Sequence, residues 1–209
     1  MKSRWEATMK RARNVFDINL DPGITNVIYE YSIVPAYTKE RHYHTLKHIK
    51  HMLIYLHDFE LTLIERTKLE LAIWFHDVVY DSRNKDNEVR SAEKFAGFAK
   101  HAEIKQSISD EIISLILITK HVDIPRNRLE EIICDCDLKE LATNKWQKNS
   151  ENVRKEYAFL SDDEWREGRS EFLMSMLCKE HIFHSDTYRC VLDDKARINL
   201  QKELDTLTL

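Results

Sequence analysis

Glycine and proline are scarce in this sequence of 209 residues. There are three residues of each type, far below their average usage of about 7% and about 5%. Because both residues interrupt helices, their scarcity, together with 33% charged residues, favours long helices. We therefore expect an all-α fold: a single compact domain over residues 1–209, with about ten helices.

Cysteine motifs, long apolar runs and basic blocks are also missing. The four cysteines form neither a Cys-x-x-Cys motif nor a disulfide framework, which indicates reduced thiols in a cytoplasmic protein. No run approaches the roughly 18 apolar residues of a membrane span, and residues 1–13 contain no apolar signal segment, so we expect no membrane association. The 32 basic residues are dispersed and the net charge is -4, which makes duplex nucleic acid a poor candidate partner.

Two helices are predicted ahead of the first histidines. Residues 3–16 carry apolar side chains at helical spacing, and an Asp-Pro-Gly turn follows them. A second helix is predicted over residues 24–34 and stops before Pro35, and its predicted inner face consists of Val27, Ile28 and Tyr31.

One apolar segment later in the chain ends in two ionisable residues. A helix is predicted over residues 65–80, in which the run Leu71–Phe75 leads directly into His76 and Asp77. A helix that is apolar on all sides lies inside a protein, where an imidazole and a carboxylate are costly without partners. A divalent metal ion would partner both. Because adjacent helical residues point about 100° apart, both can reach one ion only near the helix end, which Val78–Val79 would mark.

A group of histidines precedes this segment. We predict a helix from about residue 41 to about residue 57, with His44 and His48 on one face because they are four residues apart, followed by His51 and Tyr55. Any one of these histidines could lie at the surface or form an ordinary hydrogen bond. As a set, they indicate one metal ligand with neighbours that bind solvent or substrate.

An aspartate after a third apolar run completes the pattern. Asp137 is flanked by Ile133, Leu138 and Leu141 at helical spacing, so it faces inward and needs a cation. One histidine from residues 44–57, the His-Asp pair and this aspartate form a set of nitrogen and oxygen ligands with open positions for water. Such a set suits Mn, Fe, Co, Mg or Zn.

The order of these residues resembles that of the HD-domain metal phosphohydrolase superfamily, whose ligand order is H, HD, D. The similarity is greater to a bacterial branch of small, all-helical predicted HD phosphohydrolases. The similar motifs run over most of the chain and are Arg41-x-Tyr43-His44-x-x-x-His48-Ile49, His76-Asp77-x-Val79-Tyr80, Asp86-Asn87-Glu88-x-x-Ser91-Ala92, Thr119-x-His121, Asp135-x-Asp137-Leu138, Arg154-x-Glu156-Tyr157, Gly168-Arg169 and Ala196-Arg197-x-Asn199-Leu200. The resemblance implies a divalent metal ion, with room for a second, bound by His48, His76, Asp77 and Asp137. His44 also fits the position of the first ligand.

The resemblance also implies a reaction, the hydrolysis of a phosphoester in a small nucleotide or related metabolite by a metal-activated water. Such a small phosphate compound is the partner we expect. Glu88 lies in the first turn of a helix predicted over residues 87–100, where its carboxylate can face the site and orient the water. Lys120 and His121 end another predicted helix, where the helix dipole alone would also favour them. The candidate catalytic residues are Glu88, His44 and His121, and the candidate phosphate-binding residues are Arg41, Lys120 and Arg169.

Arg169 interrupts the apolar face of a helix that is predicted to begin at the capping box Ser161–Glu164 and to run to about residue 180. A guanidinium there needs either a phosphate or a buried carboxylate, which we expect from the region of residues 151–164. Gly168 precedes it. Because glycine inside a helix is disfavoured by about 1 kcal/mol, we expect another helix to approach closely at this point.

Two other functions are compatible with the same residues. A di-iron oxygenase of the same fold would need additional histidine ligands, for which His101 and His121 are the candidates, although we expect His101 to be exposed. A nucleotide-binding regulatory module without turnover is the third hypothesis.

Overall fold

The helix that carries the His-Asp pair at its end lies at the centre of the fold. The structure is a computed structural model that describes residues 1–18 and 20–207. Within these ranges helices occur without any strand, which confirms the prediction of an all-α fold. The helices are α1 (Lys2–Phe16), α2 (Pro22–Ile28), α3 (Val34–Ala36), α4 (Leu46–Tyr55), α5 (Leu63–Phe75), α6 (Asn87–His101), α7 (Gln106–Ile118), α8 (Arg128–Leu138), α9 (Trp146–Glu156), α10 (Asp162–Leu177) and α11 (Asp186–Leu207).

Helix α5 is surrounded by α1, α4, α6, α7 and α8. It begins at a capping box in which Thr62 and Glu65 satisfy each other's backbone N–H groups. The side chains from Leu71 to Phe75 are all buried, as the apolar run predicts. The helix ends at Phe75, with His76 as its C-cap, which is earlier than the predicted end near residue 80. The early end places His76 and the following residue in a turn.

Helix α4 begins later than predicted. Thr45 is its N-cap, with an extended backbone and a side chain that accepts a hydrogen bond from the N–H of Lys47. His44 therefore precedes the helix, and the prediction that it shares a helical face with His48 is wrong. The backbone N–H groups of residues 42–44 are bound by a distant carboxylate instead of starting a helical turn.

The predicted inner face of the second helix is wrong at Val27 and Tyr31, whereas Ile28 is half-buried and packs against the core. Val27 is 56% exposed and Tyr31 is 78% exposed, whereas Thr25, Tyr29 and Ile33 are buried. Two features explain the difference. The indole N–H of Trp5 binds the carbonyl of Thr25 at 2.8 Å, and a π-helical turn over Tyr29–Ile33 joins α2 to α3 and changes the helical phase.

Candidate metal centre

Three side chains from three helical segments converge on one point. His48 lies on α4, His76 follows α5, and Asp137 lies in the last turn of α8. One ligand atom from each of the three lies within 4.8 Å of the other two. The Nε2 atom of His48 is 2.9 Å from Oδ1 of Asp137, and Nε2 of His76 is 3.8 Å from the same oxygen. The structure thus brings together three of the four predicted metal ligands.

The two imidazoles carry unpaired nitrogen atoms toward this point. Nε2 of His48 and Nε2 of His76 are both buried, and neither has a hydrogen-bond partner in the described part of the chain, although carboxylate oxygens lie close by. In His76 the other ring nitrogen, Nδ1, lies 2.9 Å from the carbonyl oxygen of Ile73. That contact places a proton on Nδ1 and directs Nε2 toward the cluster, where a metal ion can take the place of the Nε2 proton, as in metal-binding histidines. An unpaired buried polar atom costs about 1–3 kcal/mol, so a cation is the partner that this donor set fits.

Asp77 lies beside the group of His48, His76 and Asp137 but is not part of it, because its ligand atoms are not within 4.8 Å of all the others. Its Oδ2 is 3.0 Å from Nε2 of His76. Burial lowers the pKa of His76, but the adjacent Asp77 carboxylate outweighs it and raises this pKa to about 9. Burial would raise the pKa of Asp77, but His76 holds it well below its ordinary value. The centre is therefore one that attracts positive charge, and its fourth predicted ligand is adjacent to it.

His121 contacts the other oxygen of the Asp137 carboxylate. It follows α7 in a left-handed backbone conformation with φ 58°, and its Nε2 lies 2.9 Å from Oδ2 of Asp137. Burial would raise the pKa of Asp137, but the hydrogen bond with His121 and the nearby imidazole of His48 keep it well below its usual range. Asp137 thus lies between two imidazoles, with one on each carboxylate oxygen.

A cavity of about 480 Å³ opens in front of this centre. Asp77 and Asp137 are among the residues that line it. Five of the six candidate catalytic and phosphate-binding residues line it, and these are His44, Glu88, Lys120, His121 and Arg169. Four aromatic residues on or directly after α9 and on α10 also line the cavity, and these are Trp146, Tyr157, Trp165 and Phe172. The volume is within the range of small-molecule sites.

Arg41 does not line this cavity. Its Nη1 donates to the carbonyl of Asp77 at 2.7 Å, and its guanidinium lies over the rings of Tyr37 and Tyr80. The side chain therefore holds the turn that follows α5. Its predicted role in phosphate binding receives no support from this position.

Lys120 and Glu88 lie on the rim. The Nζ atom of Lys120 donates to the carbonyl of Lys85 at 3.1 Å, and the side chain is exposed. Glu88 is half-buried in the first turn of α6. Both positions are compatible with the predicted roles, which stay predictions.

Arg169 has a carboxylate partner, but not the one expected. Its Nε donates to Oε1 of Glu203 on α11 at 2.7 Å, so the expectation of a partner from residues 151–164 is wrong. The prediction from Gly168 is wrong as well. A Cβ atom at Gly168 would meet no other atom within 4 Å, so no helix approaches closely there.

Two residues near the cavity had no predicted role. Glu156 binds the imidazole of His44 at 2.6 Å, and the ring of Tyr80 stacks on the same imidazole at 4.1 Å between centroids. Both belong to the motifs quoted from the sequence. The burial of the Glu156 carboxylate at the end of a polar helix indicates its importance, but this burial is visible only in the structure. His101, a candidate ligand for a second iron, is exposed at the end of α6, as expected.

The comparisons with known proteins identify no relative. No family model, curated protein or solved structure matches this chain. None of the helices in residues 1–18 and 20–207 is both long and apolar enough to cross a membrane.

Proposed function

We propose that this protein is a metal-dependent phosphohydrolase that acts on a phosphoester of a small nucleotide or related metabolite. One observation supports the proposal more than any other. The Nε2 atoms of His48 and His76 are buried, lack hydrogen-bond partners in the described residues, and converge on Asp137, which lines the cavity. This donor set, with Asp77 adjacent, would hold a divalent metal ion.

When bound, such an ion would lower the pKa of a coordinated water molecule from about 15.7 to about 7, so that hydroxide is present at neutral pH. The protein's own residues would supply the rest. Lys120 and Arg169 are the cations that can hold a phosphate group in the cavity. The ion pair of Arg169 with Glu203 uses Nε and Nη2, so Nη1 remains available to a phosphate. Glu88 can orient the attacking water, and His121 holds the Asp137 carboxylate.

The proposal is tested by metal content and phosphate release together. The protein is purified without chelator, its metals are measured, and phosphate release is followed for a panel of nucleotides and sugar phosphates with Mn²⁺, Co²⁺, Mg²⁺, Fe²⁺ and Zn²⁺. We expect release that depends on metal and that is lost in Asp137→Ala. The exposed His101 gives a control, since His101→Ala should keep both metal and activity. A fully metallated protein that releases no phosphate from any compound would contradict the proposal.

A second candidate, a di-iron oxygenase, is favoured by the position of His121. His121 contacts Oδ2 of Asp137, whereas His48 contacts Oδ1, so the two oxygens of this carboxylate could bind two different ions. Two irons per chain with consumption of oxygen would support this candidate over hydrolysis. Nucleotide binding with neither activity would support a regulatory module.

A further inference from the structure

Glu156 is a buried carboxylate at the unfavourable end of a helix. It is the last residue of α9, where the helix dipole favours cations over anions. Its side chain is only 2% exposed. A carboxylate in such a place needs strong hydrogen bonds, and the structure shows where they come from.

The two oxygens of Glu156 have different partners. Oε1 accepts hydrogen bonds from three successive backbone N–H groups, those of His42 at 2.7 Å, Tyr43 at 2.7 Å and His44 at 3.0 Å. Oε2 lies 2.6 Å from Nδ1 of the His44 side chain. If Glu156 served only to anchor the loop of residues 42–44, its Oε1 atom would be sufficient. The contact between Oε2 and the His44 ring therefore requires a separate explanation.

The His44 ring is held from other sides as well. Tyr80 stacks on its face, with centroids 4.1 Å apart and an angle of 29° between the rings. Tyr43 lies edge-on to it at 5.0 Å. The ring lines the cavity in front of the metal centre, and its Nε2 forms no hydrogen bond with any described residue. One ring nitrogen is therefore bound by the protein and the other is left for a ligand.

We propose that Glu156 is a positioning residue for His44: it keeps the proton of the imidazole on Nδ1 and directs Nε2 toward the leaving oxygen of the substrate. The inference rests on the proposed hydrolysis. In that reaction a water molecule that has released one proton to solvent bonds through its oxygen to phosphorus, the bond from phosphorus to the leaving oxygen breaks, and that oxygen takes a proton from Nε2 of protonated His44. A proton from solvent then restores His44. A buried carboxylate that holds Nδ1 stabilises the protonated ring and fixes its orientation before transfer.

The variant Glu156→Gln separates positioning from loop anchoring. Its amide oxygen can still accept the three backbone N–H groups, but its amide nitrogen can only donate to His44. Nδ1 must then accept a hydrogen bond, which moves the proton of the neutral ring to Nε2. The ¹⁵N resonances of the His44 imidazole report which nitrogen carries the proton, and they can be measured on Zn²⁺-loaded protein. We expect protonated Nδ1 in the native protein and protonated Nε2 in the variant.

Steady-state kinetics give the second measurement. General acid catalysis contributes about 10²–10⁴-fold, so we expect kcat of Glu156→Gln to fall by about 10²-fold or more, with KM changed less than about threefold. The control is Asp193→Asn. Asp193 also anchors successive backbone N–H groups, those of Ile182 and Phe183 at 2.7 and 3.0 Å, but it does not line the cavity. This control should leave the His44 resonances and kcat unchanged.

Two results would overturn the inference: a neutral His44 whose proton lies on Nε2 in the native protein, or a Glu156→Gln variant with native kcat. The resonances can be recorded without turnover. If the native protein releases no phosphate, the proposed function and the proton transfer fail, while the resonances still decide whether Glu156 sets the state of His44.

Discussion

Arg169 and Glu203 form a side-on ion pair in the wall of the cavity. Nε of Arg169 lies 2.7 Å from Oε1 of Glu203, and Nη2 lies 3.2 Å from Oε2. The two side chains are only 11% and 8% exposed, and Ser150 donates a further hydrogen bond to the same carboxylate. The pair joins α10 to α11 beside the candidate substrate site.

Removing the guanidinium should therefore destabilise the fold. Arg169→Met leaves a buried carboxylate without its cation, and we expect the free energy of unfolding to fall by about 3–5 kcal/mol in denaturant titrations. On the same helix, Arg166 and Asp163 form an exposed pair at 3.6 Å, so Arg166→Met should change stability by less than about 1 kcal/mol. An unchanged melting temperature for Arg169→Met would exclude the structural role. If Arg169 also holds phosphate, Arg169→Lys should weaken substrate binding, because lysine lacks the guanidinium fork.

Acid should destabilise the protein partly through Glu156. Burial would raise the pKa of Glu156, but the hydrogen bonds from His44 and from the backbone lower it from 4.5 to about 2. A lowered pKa in the folded state stabilises the fold above pH 4.5, and this contribution is lost as the pH falls from 4.5 toward 2. The full difference amounts to about 3 kcal/mol.

The comparison that isolates this contribution is between the native protein and Glu156→Gln. We expect the difference in their unfolding free energies to stay constant from pH 6 to about pH 4.5 and to shrink as the pH falls further toward pH 3. The exposed Glu167 serves as a charge control, since Glu167→Gln should show little change across the same range. A difference that is independent of pH would contradict the account of Glu156.

His44 should affect turnover more than metal binding. It precedes α4, binds Glu156 through Nδ1 and lines the cavity, whereas His48 belongs to the group of three residues that could hold a metal ion. We expect His44→Gln to lower kcat while the bound metal, measured by elemental analysis, stays constant. Loss of metal in this variant would instead make His44 a ligand.

His121 should support the metal centre through Asp137. Asparagine tolerates the left-handed backbone of this position, so His121→Asn removes the contact with Oδ2 of Asp137 without straining the chain. Loss of a residue that orients a ligand weakens metal affinity by about 10–100-fold, which a competition titration with a chelator would detect. Equal affinities in the native protein and the variant would mean that the contact has no part in metal binding.

The sequence contains enough information for the fold class and for the convergence of His48, His76 and Asp137. An apolar run with an imidazole and a carboxylate at its end has few stable solutions, and the structure buries His76 and Asp77 as that argument requires. The inward face of Asp137 follows from helical spacing in the same way. The capping box Ser161–Glu164 is also confirmed, because capping is a local interaction between residues close in sequence.

Features that depend on distant partners could not be predicted. His44 leaves the helix because Glu156, 112 residues away, binds its backbone, and no local pattern reports such a contact. Arg169 finds Glu203 rather than a nearer acid for the same reason. The π-helical turn after α2 changes which side chains are buried, and periodicity counted at 3.6 residues cannot detect it.

The metal content of the native protein and of His76→Ala tests the central claim most directly. Both are purified without chelator, dialysed against a divalent metal and analysed for bound ions, with circular dichroism to confirm that both are folded. We predict at least one ion per chain in the native protein, and the same amount in His101→Ala, whose histidine is exposed. His76→Ala should be folded and contain no bound metal. A folded His76→Ala protein with the full native metal content would contradict the assignment of this centre.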